Sequence, residues 1–341
     1  MPRENAQYQD AVLVLPRLRV QNANAISSPM TWGFPSITAF IGLMHALARR
    51  LRPDSGLQFR GMGVICHDFE AQVTEGGYTR ALRLTRNPVD KDGSTAAIVE
   101  EGRIHLDITL VMLVNLAASH WAESERQQLA QKVNDVVADM RIAGGSVLPP
   151  LAGNQRRVLR PQLRLLPDAQ SERHDDFRRM SRRWLPGFAL VARDDLLQSH
   201  LTHLQKADPM ASMLDAWLDL SRLNHRPTRT TTVDDKTSET SDVIEWVTER
   251  PKGWTVPIPV GYAALSELHP AGTVGSARDT ATPFRFVESV YSIGQWVSPH
   301  HLTDVNDLLW YSQYDQATSL YRCCNDYTVS RSTTVRSTHV N

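Results

Sequence analysis

Between two apolar runs near the start of the chain lies a segment, residues 21–35, that gathers Gln21, Asn22, Asn24, Trp32 and Phe34. A carboxamide offers a donor and an acceptor together, and an indole or phenyl face can stack on a flat heterocycle. Those are the groups that read unpaired bases of single-stranded RNA. The same residues also fit an ordinary connection in which Trp32 and Phe34 fold back onto the core. A second feature is the stretch from Arg156 to Arg193, where ten arginines face only Asp168, Glu172, Asp175 and Asp176. Such a patch can follow an RNA backbone by neutralising phosphates and releasing counterions. It suits equally well a solvated helix face balanced by acids of a partner subunit.

Enzymatic signatures do not accompany these features. The sequence lacks a Walker phosphate loop, a GxSxG elbow and an HExxH helix, and Gly61-Met62-Gly63 lacks the further glycine of a dinucleotide turn. His67 and Asp68 follow an apolar strand with no second carboxylate or cysteine at ligand spacing, so no metal or other cofactor is expected. Cys66 reads as a small core residue. His45 falls inside a helical pattern, where it is either a packed core histidine or a general acid. The absence of a catalytic constellation counts against an enzyme without excluding one. The alternative is a metal-independent endoribonuclease, which needs only a histidine and a few positioned donors.

The elements that must hold these residues follow from hydrophobic period. Val12 to Val20 is an apolar, β-branched run and predicts a buried strand. From Ser36 onward, Ile37, Phe40, Ile41, Met44 and Leu47 recur at helical spacing, with Ser36 placed to cap the first turn. The amide and aromatic segment is thus a loop between strand and helix. Gly61 to Ala71 predicts a second strand, and turn signals across 72–101 predict a projecting hairpin. Ile104, Leu106, Ile108 and Leu110 alternate along a third strand. Leu129, Val133, Val136, Val137 and Met140 form a helical stripe that stops at Gly144-Gly145. Leu185 to Ala192 supplies the expected fourth strand.

In order these spell β-α-β-β-α-β, the split βαβ of ferredoxin-like and RNA-recognition folds, an α+β class with helical and hairpin insertions. The interval from Gly144 to Trp184 exceeds a normal loop, so an insertion is expected there. Two helices are predicted between Asp194 and Arg222, followed by a polar, flexible loop over 227–242. Order returns at Gly253 to Leu265 and Thr282 to Trp296, and a last buried strand or helix edge falls near Leu308 to Tyr311. Beyond Asn325 a chain of Ser, Thr and Arg predicts a frayed tail.

At 341 residues and 41% hydrophobic, the chain can bury a substantial core. Lys plus Arg and Asp plus Glu each total 37, so any RNA site is a local patch rather than a whole-molecule attraction. Three cysteines, Cys66, Cys323 and Cys324, are too few for a disulfide framework and fit a reduced cytosol. The N-terminus lacks the apolar region of a signal peptide, and no apolar run reaches the roughly 18 residues of a membrane span. A soluble, cytoplasmic protein is expected.

The runs LPRLRVQNANAISSPMTWGFPS, VICHDFEAQV, LTRNPVDKDGSTAAIVEEGRIHL, MRIAGGSVLP, RRWLPGFALVAR, GWTVPIPVGYAALS and IGQWVSPHHLTDVNDLLWY carry a resemblance that spans about Ala11 to Arg322. They resemble the second Csy family of type I-F CRISPR interference complexes, repeat-associated subunits that cap the 5′ handle of the guide RNA. The resemblance implies a non-catalytic, RNA-recognition-like subunit. It also implies docking on the large Csy subunit, placement of the first backbone subunit, and a part in engaging duplex target DNA. The nuclease alternative becomes a ribonuclease of the same superfamily acting on repeat RNA.

By that resemblance Gln21, Asn22 and Asn24 hydrogen-bond bases or sugars, and Trp32 and Phe34 stack on splayed bases. Arg141, Gly144, Gly145 and Ser146 sit where related folds carry a glycine-rich loop near the RNA backbone. Arg86, Arg103, Arg278 and Arg285 are further candidate contacts, each of which also fits an internal salt bridge. The chain then divides into a first part of the core over 11–150, with its hairpin insertion at 72–101. An arginine-rich and helical insertion follows over 151–250, containing the strand at 185–192. A return to the core spans 251–322, and a tail covers 323–341.

Overall fold

Val12, Leu13, Val14 and Leu15 are all buried, alternating between two hydrophobic clusters on opposite faces of one sheet. A strand covered on both faces has no need of polar alternation, which is why this run reads as continuously apolar. The computed structural model describes residues 8–51, 55–77, 79–86, 89, 92–149, 160–233, 240–249, 253–277 and 279–327. The side chains at 119, 230–233, 240–243 and 249 are left out of that description.

The first half of the chain runs β1 (Tyr8–Asn24), α1 (Ile37–Leu51), β2 (Leu57–Ala71), β3 (Arg103–Ala117), α2 (Glu123–Ala138), β4 (Gly145–Leu148) and β5 (Gln162–Leu165). Its strands are hydrogen-bonded in the order β2-β3-β1-β4, every neighbour antiparallel, with β5 also on β1. This is the strand order of a split βαβ, and the chain is α+β. α1 and α2 cover one face with Phe40, Ile41, Leu47, Leu129 and Val133. The other face is covered by α3 (Gln170–Ser181) through Phe177 and Met180, and by Trp184.

The fourth strand of that unit is a correction. It is Gly145–Leu148, not the run ending at Ala192. Ala143 (φ 48°) and Gly144 (φ 80°) turn the chain back after a short strand, Arg141–Ile142, that follows α2, so the next four residues pair with that strand and fill the edge of β1. The run at 188–192 does form a strand, β6 (Phe188–Ala192), but on the far side of β2, where Phe188 pairs with Cys66 and Ala189 with Ile65. Hydrophobic pattern identified the strand and carried no information about its partner.

Beyond β6 come α4 (Asp194–Leu204), α5 (Met213–Ser221), β7 (Asn224–Val233), β8 (Thr240–Glu249), β9 (Trp254–Ala264), β10 (Val287–Val297), β11 (Trp310–Asp315) and β12 (Leu320–Asn325). Strands β6, β10, β9, β12, β11 and β2 pair in a ring that returns on itself. Closure leaves these strands protected from edge-to-edge association. Trp310 is fully buried and donates its indole N–H to the Leu190 carbonyl at 2.8 Å, tying β11 to β6.

Other expectations resolve locally. Residues 73–76, 79–85 and 99–101 form a small antiparallel sheet within the region expected to be a hairpin. The 227–242 segment differs from expectation, because its described part belongs to the β7–β8 ribbon paired from Asn224↔Glu249 to Val233↔Thr240. Its threonines and β-branched residues favour extended backbone, which outweighs the polar composition that suggested a loop. The tail after Tyr327 lies outside the described residues. Among the described residues, no helix is long and apolar enough to cross a membrane.

Candidate nucleic-acid interface

The segment expected to be a loop from Gln21 starts later. β1 continues to Asn24 through two register shifts, between Leu15 and Leu18 and between Val20 and Ala23, with Arg17 (φ 53°) and Asn22 (φ 57°) in left-handed conformations. The bulges accommodate the extra residues without ending the ladder, which a composition argument could not detect. Gln21 and Asn22 are exposed, and Asn22 donates its backbone N–H to His105 Nδ1 at 3.1 Å. Asn24 turns its amide onto its own chain: Nδ2 donates to the Ile26 carbonyl at 2.8 Å and Oδ1 accepts from the Ile26 N–H at 3.1 Å.

The α2–β4 turn packs against this strand end. Asn24 N–H donates to the Ala143 carbonyl at 2.8 Å, and Gln21 pairs with Ser146. Gly145 is buried, and a Cβ there would meet Ala23 N and Gln21 O at 2.7 Å, both main-chain atoms. Only glycine allows the turn to lie this close.

These contacts bound an open groove of about 610 Å³ beside α1. Asn24, Arg141 and Gly144 form one bank, and Ser36, Thr38, Gly42 and Ala46 form the α1 bank. Tyr262 and Tyr321, a cross-strand pair of β9 and β12, close its end. Ser36 accepts from the Thr38 N–H at 3.3 Å, so the cap expected from sequence is present and the first turn of α1 opens onto the groove. A helix N-terminus, hydroxyls and an arginine together favour an anion. The Arg141 side chain makes one hydrogen bond among the described residues, to the Gly144 carbonyl at 3.2 Å. None of the described lining residues is acidic. The tyrosines offer flat faces to bases, and burial pushes the Tyr321 hydroxyl upward, so it stays neutral.

The groove therefore joins Asn24, Arg141 and Gly144 from the sequence candidates, with Gly145 beneath and Gln21, Asn22 and Ser146 on the neighbouring exposed edge. Trp32 is exposed across the loop, while Phe34 stacks on Phe40 at 5.6 Å and meets Trp296 edge-on at 4.8 Å. Arg103 is held by Glu101 through two hydrogen bonds, at 2.8 and 3.1 Å. Arg86 donates to the Ala96 carbonyl in the hairpin insertion, and Arg285 approaches the Tyr314 hydroxyl at 3.4 Å, neither lining the groove. Arg278 lies outside the described residues. Sequence reasoning missed Thr38 and Gly42, which look like ordinary helix surface, and Tyr262 and Tyr321, which meet only through the β9–β12 pairing.

Half of the eight described arginines in the arginine-rich segment are paired internally, and Arg160, Arg178, Arg182 and Arg183 are exposed. Arg164 and Arg179 both reach the buried Asp176, at 2.9 and 3.4 Å, Arg173 reaches Asp10 at 3.7 Å, and Arg193 reaches Asp195 at 2.8 Å. Arg178, Arg182 and Arg183 are exposed and make no ion pair among the described residues. Arg156 and Arg157 lie outside them.

The candidate acids and ligands are placed as follows. His45 is exposed on α1 rather than packed in the core, and it does not line the groove. The helix stripe leaves it one position off the buried face. His67 is engaged at both ring nitrogens: Nδ1 donates to the Pro186 carbonyl and Nε2 pairs with Thr109 Oγ1, each at 2.7 Å. Burial lowers its pKa, and burial raises that of the neighbouring Asp107 despite its 2.6 Å ion pair with Arg17. Burial pushes Cys66 and Cys323 up to about 12, which makes both thiols poor nucleophiles. Among the described residues, no group of three or more His, Cys, Asp or Glu could hold a metal ion.

Two comparisons with known proteins bear on this geometry. The family model described as CRISPR-associated protein (Cas_Csy2) matches residues 13–323. The chain is also 45% identical over 315 residues, covering 92% of its length and 94% of the relative's, to "CRISPR-associated protein Csy2" of Pseudomonas aeruginosa (strain UCBPP-PA14). A match across nearly the whole of both chains places the resemblance beyond a shared motif, and the chain belongs to the Csy2 family of CRISPR-associated proteins, a family of type I-F Csy complex subunits.

Proposed function

We propose that this chain is a non-catalytic, guide-RNA-binding subunit that caps the 5′ handle of the CRISPR RNA in the cytoplasm. In this reading it docks with the large Csy subunit at the tail of the complex, contacts the first backbone subunit, and helps the assembly engage duplex target DNA. The observation that carries the reading is the groove beside α1. It combines an arginine, a capped helix N-terminus, a glycine turn and two tyrosine faces, with no acidic residue among its described lining residues. Phosphates are attracted by the first three, and splayed bases find surfaces in the tyrosines.

Its test is assembly of the Csy subunits with guide RNAs that carry or lack the handle. Handle RNA is expected to be retained only when this chain and the large subunit are both present. Assembly that ignores the handle contradicts the reading. The nuclease alternative is checked on the same preparation in chelator, where intact repeat RNA is expected with or without His45→Ala.

A further inference from the structure

Beside the groove, and sharing Ser27, Pro35 and Ser36 with it, lies a second cavity of about 310 Å³. That volume sits at the low end of small-ligand pockets, about 300–1,000 Å³. Trp32, Phe69, Phe188 and Trp254 line it, yet they are 44%, 54%, 42% and 48% exposed. Four aromatic side chains left this open around one concavity mark a binding surface rather than a core. Their faces are held in place: Phe188 meets Trp254 edge-on at 5.5 Å, and Trp254 leans on Trp296 at 6.1 Å, which is itself fixed by Phe34.

One charged group stands at the rim. Asp68 is exposed, its Oδ1 accepts the Phe69 N–H at 2.9 Å, and its other oxygen accepts no hydrogen bond among the described residues. His67, the nearest other polar ring, has both nitrogens engaged.

We propose that this cavity holds one unpaired nucleobase of the RNA whose phosphates lie in the adjoining groove, with Asp68 accepting a hydrogen bond from the base's exocyclic amino group. The inference rests on the guide-RNA reading above. Charge sorts the two spaces: Arg141 and no described acid on the groove side suit phosphate, and a carboxylate over aromatic walls repels it. A carboxylate at a fixed place also selects among bases by where the donor lies, because adenine, cytosine and guanine carry an exocyclic amino group while uracil offers only its ring N3–H. The shared Ser27–Pro35–Ser36 wall lets a single nucleotide step from one space into the other. An apolar side chain of a protein partner would fill the aromatic part but leave the free carboxylate oxygen without a donor, which is why a base is the better occupant.

The test uses the assembled Csy complex and handle RNAs in which each base in turn is replaced by 2-aminopurine, whose fluorescence is quenched by stacking. One position is expected to be quenched several-fold more than the rest, and Trp254→Leu is expected to restore it. Asp68→Leu, at an exposed site, is expected to weaken binding on the order of tenfold when that position carries an amino base and not when it carries uracil. Quenching that is uniform, or that neither variant changes, overturns the inference. Loss of subunit assembly in Trp254→Leu with quenching unchanged also overturns it and assigns the cavity to a protein partner. Arg141→Glu separates the two layers: weakened RNA binding without a distinguished position sinks the base pocket alone, and unchanged RNA binding sinks the guide-RNA reading with it.

Discussion

Beside α1, a single arginine shares a groove with hydroxyls, a glycine turn and no described acid, whereas between Arg160 and Arg193 arginines are plentiful and carboxylates hold four of them. The second region dominates the sequence by count. The first sets its arginine among other anion-binding groups in one concavity, while the second pairs half of its described arginines with carboxylates, where they present little net potential to a third charge. Asp176 makes the point sharply: buried in α3, it draws both Arg164 and Arg179 and thereby anchors the helix to β5. Arginine number is legible in a sequence, but arginine availability is a property of the fold.

The comparison can be broken most forcefully at Gly145. Gly145→Val places a side chain against the main chain of Ala23 and Gln21, and it is expected to cost about 1–3 kcal/mol and to reduce handle binding by more than about tenfold. Urea denaturation beside a filter-binding titration reads both. Arg141→Glu comes next, with an unchanged fold and an affinity loss on the order of tenfold. The milder Arg141→Ala is expected to lower the slope of log affinity against log salt by about 0.7, one phosphate on a single strand.

Asn24→Ala removes two hydrogen bonds that shape the turn after β1 and is expected to cost about 1 kcal/mol of stability, with a few-fold effect on RNA. Asn22→Ala removes no side-chain bond described within the fold but puts Ala at φ 57°, where Asn is better tolerated, and is expected to lower the urea midpoint by the equivalent of up to about 1 kcal/mol. A pH series sharpens the contrast with buried polar groups. Burial lowers the folded pKa of His67 beneath its ordinary 6.5, so the unfolded chain takes up that proton first and stability is lost as pH falls below about 6.5. Asp107, raised by burial, acts in the opposite sense in the lower range where carboxylates titrate. Denaturation midpoints of wild type and His67→Gln should therefore converge as the pH is lowered. The smallest effect belongs to Arg178, Arg182 and Arg183: replacing all three by Ala is expected to leave handle affinity within about twofold and the salt slope unchanged. A drop to match Arg141→Glu would reverse the ranking of the two regions.

Much of this was legible in the residues alone. The strand at Val12, the α1 stripe with its Ser36 cap, and the α2 stripe followed from period and capping, because each is a local property, although α2 ends at Ala138 and the Gly144-Gly145 exit expected for it is instead the turn after a short strand, Arg141–Ile142. On the groove's one bank Asn24 stood out by residue type, while Arg141 and Gly144 were pointed to by the family resemblance. Its other bank was not legible. Tyr262 and Tyr321 reach it only because β9 and β12 pair far from α1 in sequence, and Thr38 and Gly42 look like ordinary helix surface. Partner choice also defeated the pattern at Phe188–Ala192, a real strand assigned to the wrong edge. Bulges at Arg17 and Asn22 carried the ladder through polar residues that composition alone assigns to a loop.

The central claim is that the handle lies along the groove beside α1, and photocrosslinking reads it most directly. Csy complex assembled with a guide whose handle contains 4-thiouridine would be irradiated, digested and mapped by mass spectrometry. Adducts on the peptides covering residues 21–36 and 141–146 are the predicted result. Adducts confined to 178–183, or none on this chain, would contradict it.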